Sequence, residues 1–84
     1  MPVNFLPSGD SAVVVEFGDR IERSVSDQVL GLAARVRAAG VKGVVEVVPT
    51  FRSLLVHYDP LWTSSADLVG AIKGLLAEIG RAHV

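Results

Sequence analysis

His57 is the first residue of this sequence from which chemistry could be asked, because it is the one histidine set inside a strongly patterned apolar segment. An imidazole beside carboxylates can relay a proton or, given further ligands, hold a metal ion. Strand alternation puts Glu16 and Glu46 on the same side of a sheet as His57. A lone strand histidine is more often packed or solvated, so no catalysis by His57 and no metal site are expected. His83, in the tail, is uninformative. A second candidate is the turn Ser8-Gly9-Asp10-Ser11, whose backbone N–H groups and hydroxyls form the kind of nest that accepts a phosphate or carboxylate. A third is Arg52, an anion fork beside Thr50 and Ser53. Gly18-Asp19-Arg20 is a fourth, equally ambiguous loop. Each also reads as an ordinary turn or a solvated surface loop.

Other features bear on contact rather than reaction. Ala66, Gly70 and Gly74 recur at four-residue spacing and draw a flat strip on a helix, suited to close approach of a neighbouring subunit or of the sheet. Trp62, just before that helix, is either a staple for its entry or an exposed anchor for a partner. No glycine-rich phosphate loop, no CxxC and no nucleophile–base set stands out. An acylphosphatase-like enzyme acting through Arg20 would also want a water-orienting amide, and the sole Asn, Asn4, stands at the chain start.

The whole chain must supply the scaffold from 84 residues, enough for one small domain. Half of the positions are apolar and 20% are charged, which excludes a disordered tail. A net charge of -1 and a pI near 6.0 argue against binding nucleic acid by phosphate neutralisation. The five aromatics are too few and too inward-placed to stack bases. Zero cysteines exclude a disulfide framework and thiolate metal sites. No run of apolar residues is long enough for a membrane span and no secretory signal is apparent, so a cytoplasmic domain is expected. Mean hydropathy of +0.46 is high for so small a domain, and points either to an unusually complete core or to apolar surface covered by something else.

The elements follow from periodicity. Asn4 to Pro7 is a short extended piece, and Ala12 to Phe17 a β-branched strand stopped at Gly18-Asp19. Val25, Val29, Leu32 and Val36 draw one stripe of a helix over 24–39, with Ser24 and Asp27 as its capping box and Gly40 after its end. Val44 to Val48 and Ser53 to Tyr58 read as a hairpin. A second helix opens at Ser64 or Ser65, buries Leu68, Ile72, Leu75 and Ile79, and ends at Gly80. This order predicts an α+β domain of ferredoxin-like split βαβ plan (βαββα), an antiparallel-dominated sheet with two helices on one face. Its last strand is missing or only begun at Arg81-Ala82-His83-Val84, unless that tail is a helix end.

With both helices on one face, parity turns Val45, Val47, Leu54, Val56 and Tyr58 inward. The open face then carries Val14, Glu16, Val44, Glu46, Val48, Leu55 and His57, unusually apolar for a solvated surface.

Two stretches resemble a known family: Phe5 to Gly18 (FLPSGDSAVVVEFG) and, more specifically, Val45 to Pro60 with its VPTFRSLLVHYDP run. They are similar to the N-terminal domain of the allophanate hydrolase subunit 1 family, also known as the B component of 5-oxoprolinase. The sporulation-kinase inhibitors and a carboxyltransferase segment of urea carboxylases belong to the same group. The resemblance spans essentially the whole chain. It implies an N-terminal α/β domain followed by a C-terminal cyclophilin-like barrel, which is absent here, so residues 1–84 are expected to form the single N-terminal domain. It also implies association with a homologous second subunit, in a complex that uses ATP to open an amide, with no cofactor bound by this domain itself. In the kinase-inhibitor branch the partner is a sensor histidine kinase. Carried over position by position, the motifs nominate Gly9, Asp10, Arg52, Ser53, His57 and Tyr58 as ligand or interface candidates.

The expectation is therefore a non-catalytic domain of a hydrolase subunit, acting through association with that second subunit or with its own C-terminal domain. The alternative is a domain that inhibits a histidine kinase. Independent turnover by the chain, through Arg52 or Arg20, is not expected, and neither nucleic acid nor membrane is an expected partner.

Overall fold

The computed structural model describes residues 3–18 and 23–82, the last four of these by backbone alone. Four strands and two helices follow in the order β1 (Asn4–Pro7), β2 (Ala12–Glu16), α1 (Arg23–Ala39), β3 (Val44–Pro49), β4 (Ser53–Tyr58) and α2 (Ser65–Ala82). The sheet is antiparallel throughout, with strand order β1-β2-β4-β3. β2-α1-β3-β4-α2 is the expected split βαβ plan. In that plan the edge beside β2 belongs to a strand that follows the second helix. Here β1 occupies it, paired from Asn4↔Glu16 to Pro7↔Val13. β1 therefore covers the edge of β2 that a missing last strand would otherwise leave bare.

The helices form where their apolar stripes meet the sheet. Val25, Val29, Leu32, Ala33 and Val36 of α1 are buried, as are Leu68 and Ile72 of α2. They close over Val13, Val15, Phe17, Val47, Leu54, Val56 and Tyr58 to make one core. Phe17 lies just past the end of β2 and is still buried. Arg23 is already helical, so Ser24 lies inside α1 and not at its cap position. Gly40, with φ of 59°, takes the left-handed position after α1 as expected. The cap of α2 is Ser64, whose hydroxyl accepts the Asp67 N–H at 3.1 Å. α2 runs past Gly80 to Ala82, so Arg81 and Ala82 continue the helix; His83 and Val84 lie outside the described residues. The packing of Ile79 lies outside the described side chains.

One expectation about the faces fails for a local reason. β3 carries a bulge: Val44 pairs with Tyr58, but the next partner of β4, His57, pairs with Glu46. Val45 is the extra residue, and the alternation restarts beyond it. Val45 therefore turns outward, 69% exposed, while Val44 packs partly buried against the core. Val44 belongs to the helix side, and Val45 does not.

Candidate functional site

Register decides which candidate residues can act together. On the open face, Leu6 pairs with Val14, Val14 with Leu55, and Leu55 with Val48. These four make a continuous apolar row across every strand of the sheet, with Leu6 45% and Val48 36% exposed. On one side of the row stand Ala12, His57 and Glu46, and on the other Asn4, Glu16 and Ser53. Glu46 is thus directly opposite His57. Glu16 lies opposite Ser53, four residues along β4, roughly 14 Å from His57 at the ordinary rise of a strand. The three ionisable groups do not converge. Among the described residues no group of three or more His, Asp or Glu side chains is placed to hold a metal ion.

The six motif residues fall into two groups at opposite ends of β4. At its C-terminal end the Tyr58 hydroxyl donates to the Asp10 carbonyl at 3.2 Å, and the Tyr58 N–H donates to the Ser11 carbonyl at 2.9 Å. Gly9 sits at φ 67° in this turn, and the Ser8 N–H donates to the Ala12 carbonyl at 2.9 Å. Tyr58 thus holds the β1–β2 hairpin against β4 through the Asp10 and Ser11 carbonyls. At the N-terminal end, the Thr50 N–H donates to the Ser53 carbonyl at 2.8 Å, and the Ser53 N–H donates to the Thr50 hydroxyl at 3.0 Å. The Arg52 carbonyl accepts the Phe17 N–H at 2.9 Å. Gly9, Asp10 and Tyr58 cannot share a ligand with Arg52 and Ser53. The positive φ of Gly9, the Tyr58 hydroxyl and the 2.7 Å contact between the Thr50 and Ser53 hydroxyls account for those residue types in the two turns, whereas Asp10 and Arg52 take part through their main-chain carbonyls. Gly18 is exposed, whereas Asp19 and Arg20 lie outside the described residues.

Two further sites were less legible in the sequence. Gly43 has φ of 85°, and a Cβ there would meet Thr63 Cγ2 at 2.6 Å, so the start of β3 and the loop before α2 touch. The Asp59 N–H donates to the Gly43 carbonyl at 2.8 Å, and Asp59 in turn accepts the Leu61, Trp62 and Thr63 N–H groups. This fixed loop presents Trp62 to solvent, 64% exposed, with the Lys42 ammonium 6.0 Å from its ring. Trp62 is an exposed side chain and does not staple the helix. Gly70 and Gly74 are exposed as well, with nothing within 4 Å of an added Cβ at either, so the sheet is not what approaches them.

Three comparisons bear on this arrangement. A family model described as carboxyltransferase domain, subdomain C and D, matches residues 3–83. A curated relative, the B component of 5-oxoprolinase from Bacillus subtilis (strain 168), is 39% identical over 51 residues, which are 61% of this chain and 21% of the relative. A conserved uncharacterized protein from Pyrococcus horikoshii superposes with a TM-score of 0.84 at 37% identity, over 93% of this chain and 37% of that one. The N-terminal domain of the histidine kinase inhibitor KipI from Bacillus subtilis superposes with a TM-score of 0.77 at 28% identity, over 98% of this chain and 91% of that domain. The chain thus spans about a fifth of the length of the curated relative it matches.

Proposed function

Because the chain belongs to the carboxyltransferase subdomain C and D family, we propose that it is an association domain of an ATP-dependent amide-hydrolysing complex of the 5-oxoprolinase or allophanate hydrolase type. It carries no chemistry alone. The observation that supports this reading is the apolar row Leu6–Val14–Leu55–Val48, which crosses the sheet on the side the helices leave open. Flanking carboxylates at Glu16 and Glu46 give that face the apolar centre and polar rim of a protein interface. The Tyr58 hydroxyl and the main chain of Asp10, Arg52 and Ser53 are engaged in holding the two turns. Coexpression with a homologous second hydrolase subunit is expected to give a stable complex. A Leu55→Asp variant, which puts a charge at the centre of the row, is expected to lose it while keeping its fold. Turnover of 5-oxoproline or allophanate with ATP by the isolated chain would overturn the reading.

A second reading is favoured by one observation: this chain and the KipI N-terminal domain match over nearly the full length of both. On that reading the same open face, or the loop carrying Trp62, engages a sensor histidine kinase. Inhibition of kinase autophosphorylation by this chain alone, lost in Leu55→Asp or Trp62→Ala, would select it over the hydrolase reading.

A further inference from the structure

The two edges of the sheet differ in what they offer to another strand. In an antiparallel ladder, residues of a non-hydrogen-bonded pair turn their N–H and C=O away from the partner strand. The Ser8 N–H donates to the Ala12 carbonyl in the same register as the β1–β2 pairs. Counting back, Leu6 and Asn4 face β2, whereas Phe5 and, by the same alternation, Val3 present both groups outward. Pro7 presents only its carbonyl, since its ring takes the place of the N–H. At the other edge the Thr50 N–H to Ser53 carbonyl bond sets the same count, so Pro49 and Val47 face outward from β3. There Pro49 has no donor, and the Val47 carbonyl already accepts the Arg37 guanidinium at 3.2 Å. Val45 is bulged, and the Val44 N–H is turned back onto the Val41 carbonyl at 3.2 Å. The β3 edge is thus partly blocked, with the Val47 N–H and the Pro49 carbonyl still facing outward, whereas the β1 edge offers both groups of Val3 and of Phe5.

We propose that the β1 edge pairs with a second copy of this chain, β1 running antiparallel to β1 about a two-fold axis at Phe5, which joins the two four-stranded sheets into one. The outward groups of β1 are self-complementary in that register. Phe5 meets Phe5 of the second copy, and each donates its N–H to the carbonyl of the other. Val3 meets Pro7, so the Val3 N–H finds the proline carbonyl, and the missing proline donor falls at the rim of the pairing. A shift of two residues one way would set Pro7 against Phe5 and leave the Phe5 carbonyls without donors; a shift the other way would set Val3 against Phe5, a register in which a cysteine at position 5 would not meet its own copy.

The helix above this edge leaves room for the second copy. A groove of about 460 Å³ runs between β1 and α2, lined by Phe5, Pro7, Ala66, Val69 and Lys73 among others. Gly70 lies on the same helical face as Ala66, Val69 and Lys73 by its three- and four-residue spacing. With open space over Gly70 and Gly74, a second α2 can come close across the axis. The Lys73 ammonium, 5.5 Å from the Phe5 ring, stands at the groove mouth.

This inference concerns a different surface from the open face of the proposed function, and the two stand or fall separately. The test is sedimentation velocity on the 84-residue chain, with and without an N-methyl group on the Phe5 nitrogen, which removes that donor and keeps the side chain. The unmodified chain is expected to dimerise, and N-methylation to weaken the dimer by about tenfold or more. Gly70→Arg, whose side chain has space in the monomer, is expected to weaken it too. Because the chain has no cysteine, Phe5→Cys is expected to form an intermolecular disulfide on mild oxidation far faster than Leu6→Cys, which would face Asn4. A chain that stays monomeric at its highest soluble concentration overturns the proposal. So does a dimer indifferent to N-methylation, a Leu6→Cys that cross-links as fast as Phe5→Cys, or an edge filled only by another protein's strand.

Discussion

The β1 and β3 edges are made from the same kind of strand, yet their exposed backbones are handled differently. β3 is longer and more apolar, and so the greater hazard for uncontrolled pairing. It is blunted by a proline, a bulge, an arginine that occupies an outward carbonyl, and a glycine contact that seats its first residue. β1 is only four residues long and ends in a single proline. The difference teaches where pairing is least restrained: at a short edge whose few outward groups allow few registers, and not at a long one that would allow several.

The largest expected effect comes from unseating the blunted edge. Gly43→Ala has to accommodate a positive φ and a Cβ 2.6 Å from Thr63 Cγ2. It is expected to cost about 2–3 kcal/mol in urea denaturation, at the upper end of ordinary single substitutions. Next in size is the hairpin that carries the open edge. Tyr58→Phe removes the hydroxyl bond to the Asp10 carbonyl and should cost about 1 kcal/mol, with faster amide exchange in residues 8–12. The double variant Arg37→Ala, Pro49→Thr should alter stability by only about 0.5–1 kcal/mol. It frees the Val47 carbonyl and restores an outward donor, so light scattering should report new self-association through β3. The smallest effect is expected at Arg35, whose 2.7 Å ion pair with Glu78 links the two helices at half-exposed positions. Arg35→Ala should change stability by no more than about 0.5 kcal/mol and leave association untouched. It thereby separates loss of a positive charge from loss of edge protection.

Much of the fold was legible in the sequence because it rests on local pattern. The stripe from Val25 to Val36, the β-branched run at Ala12 and the turn residues between Pro49 and Ser53 each specify their element with no help from elsewhere. Register was less legible. Five consecutive residues from Val44 to Val48, four of them valine, give the bulge at Val45 no local signal, so the inward and outward assignments of Val44 and Val45 came out reversed. The placement of β1 beside β2 was also beyond local reading, since the edge could have been filled from either end of the chain. The motif residues were found by resemblance, but only register shows that Asp10 and Arg52 lie at opposite ends of one strand. Gly43 could have been suspected from its place at a strand start, yet its reason is Thr63, twenty residues away in sequence.

The central claim is that the open face, and not either turn, is the surface that meets a partner. Methyl NMR of the labelled chain titrated with a homologous second hydrolase subunit tests it most directly. The Leu6, Val14, Val48 and Leu55 methyl signals are predicted to shift together, while those of core residues such as Val29 and Leu32 do not. Backbone shifts confined to residues 8–11 and 50–53, with the four methyl groups unmoved, would contradict it.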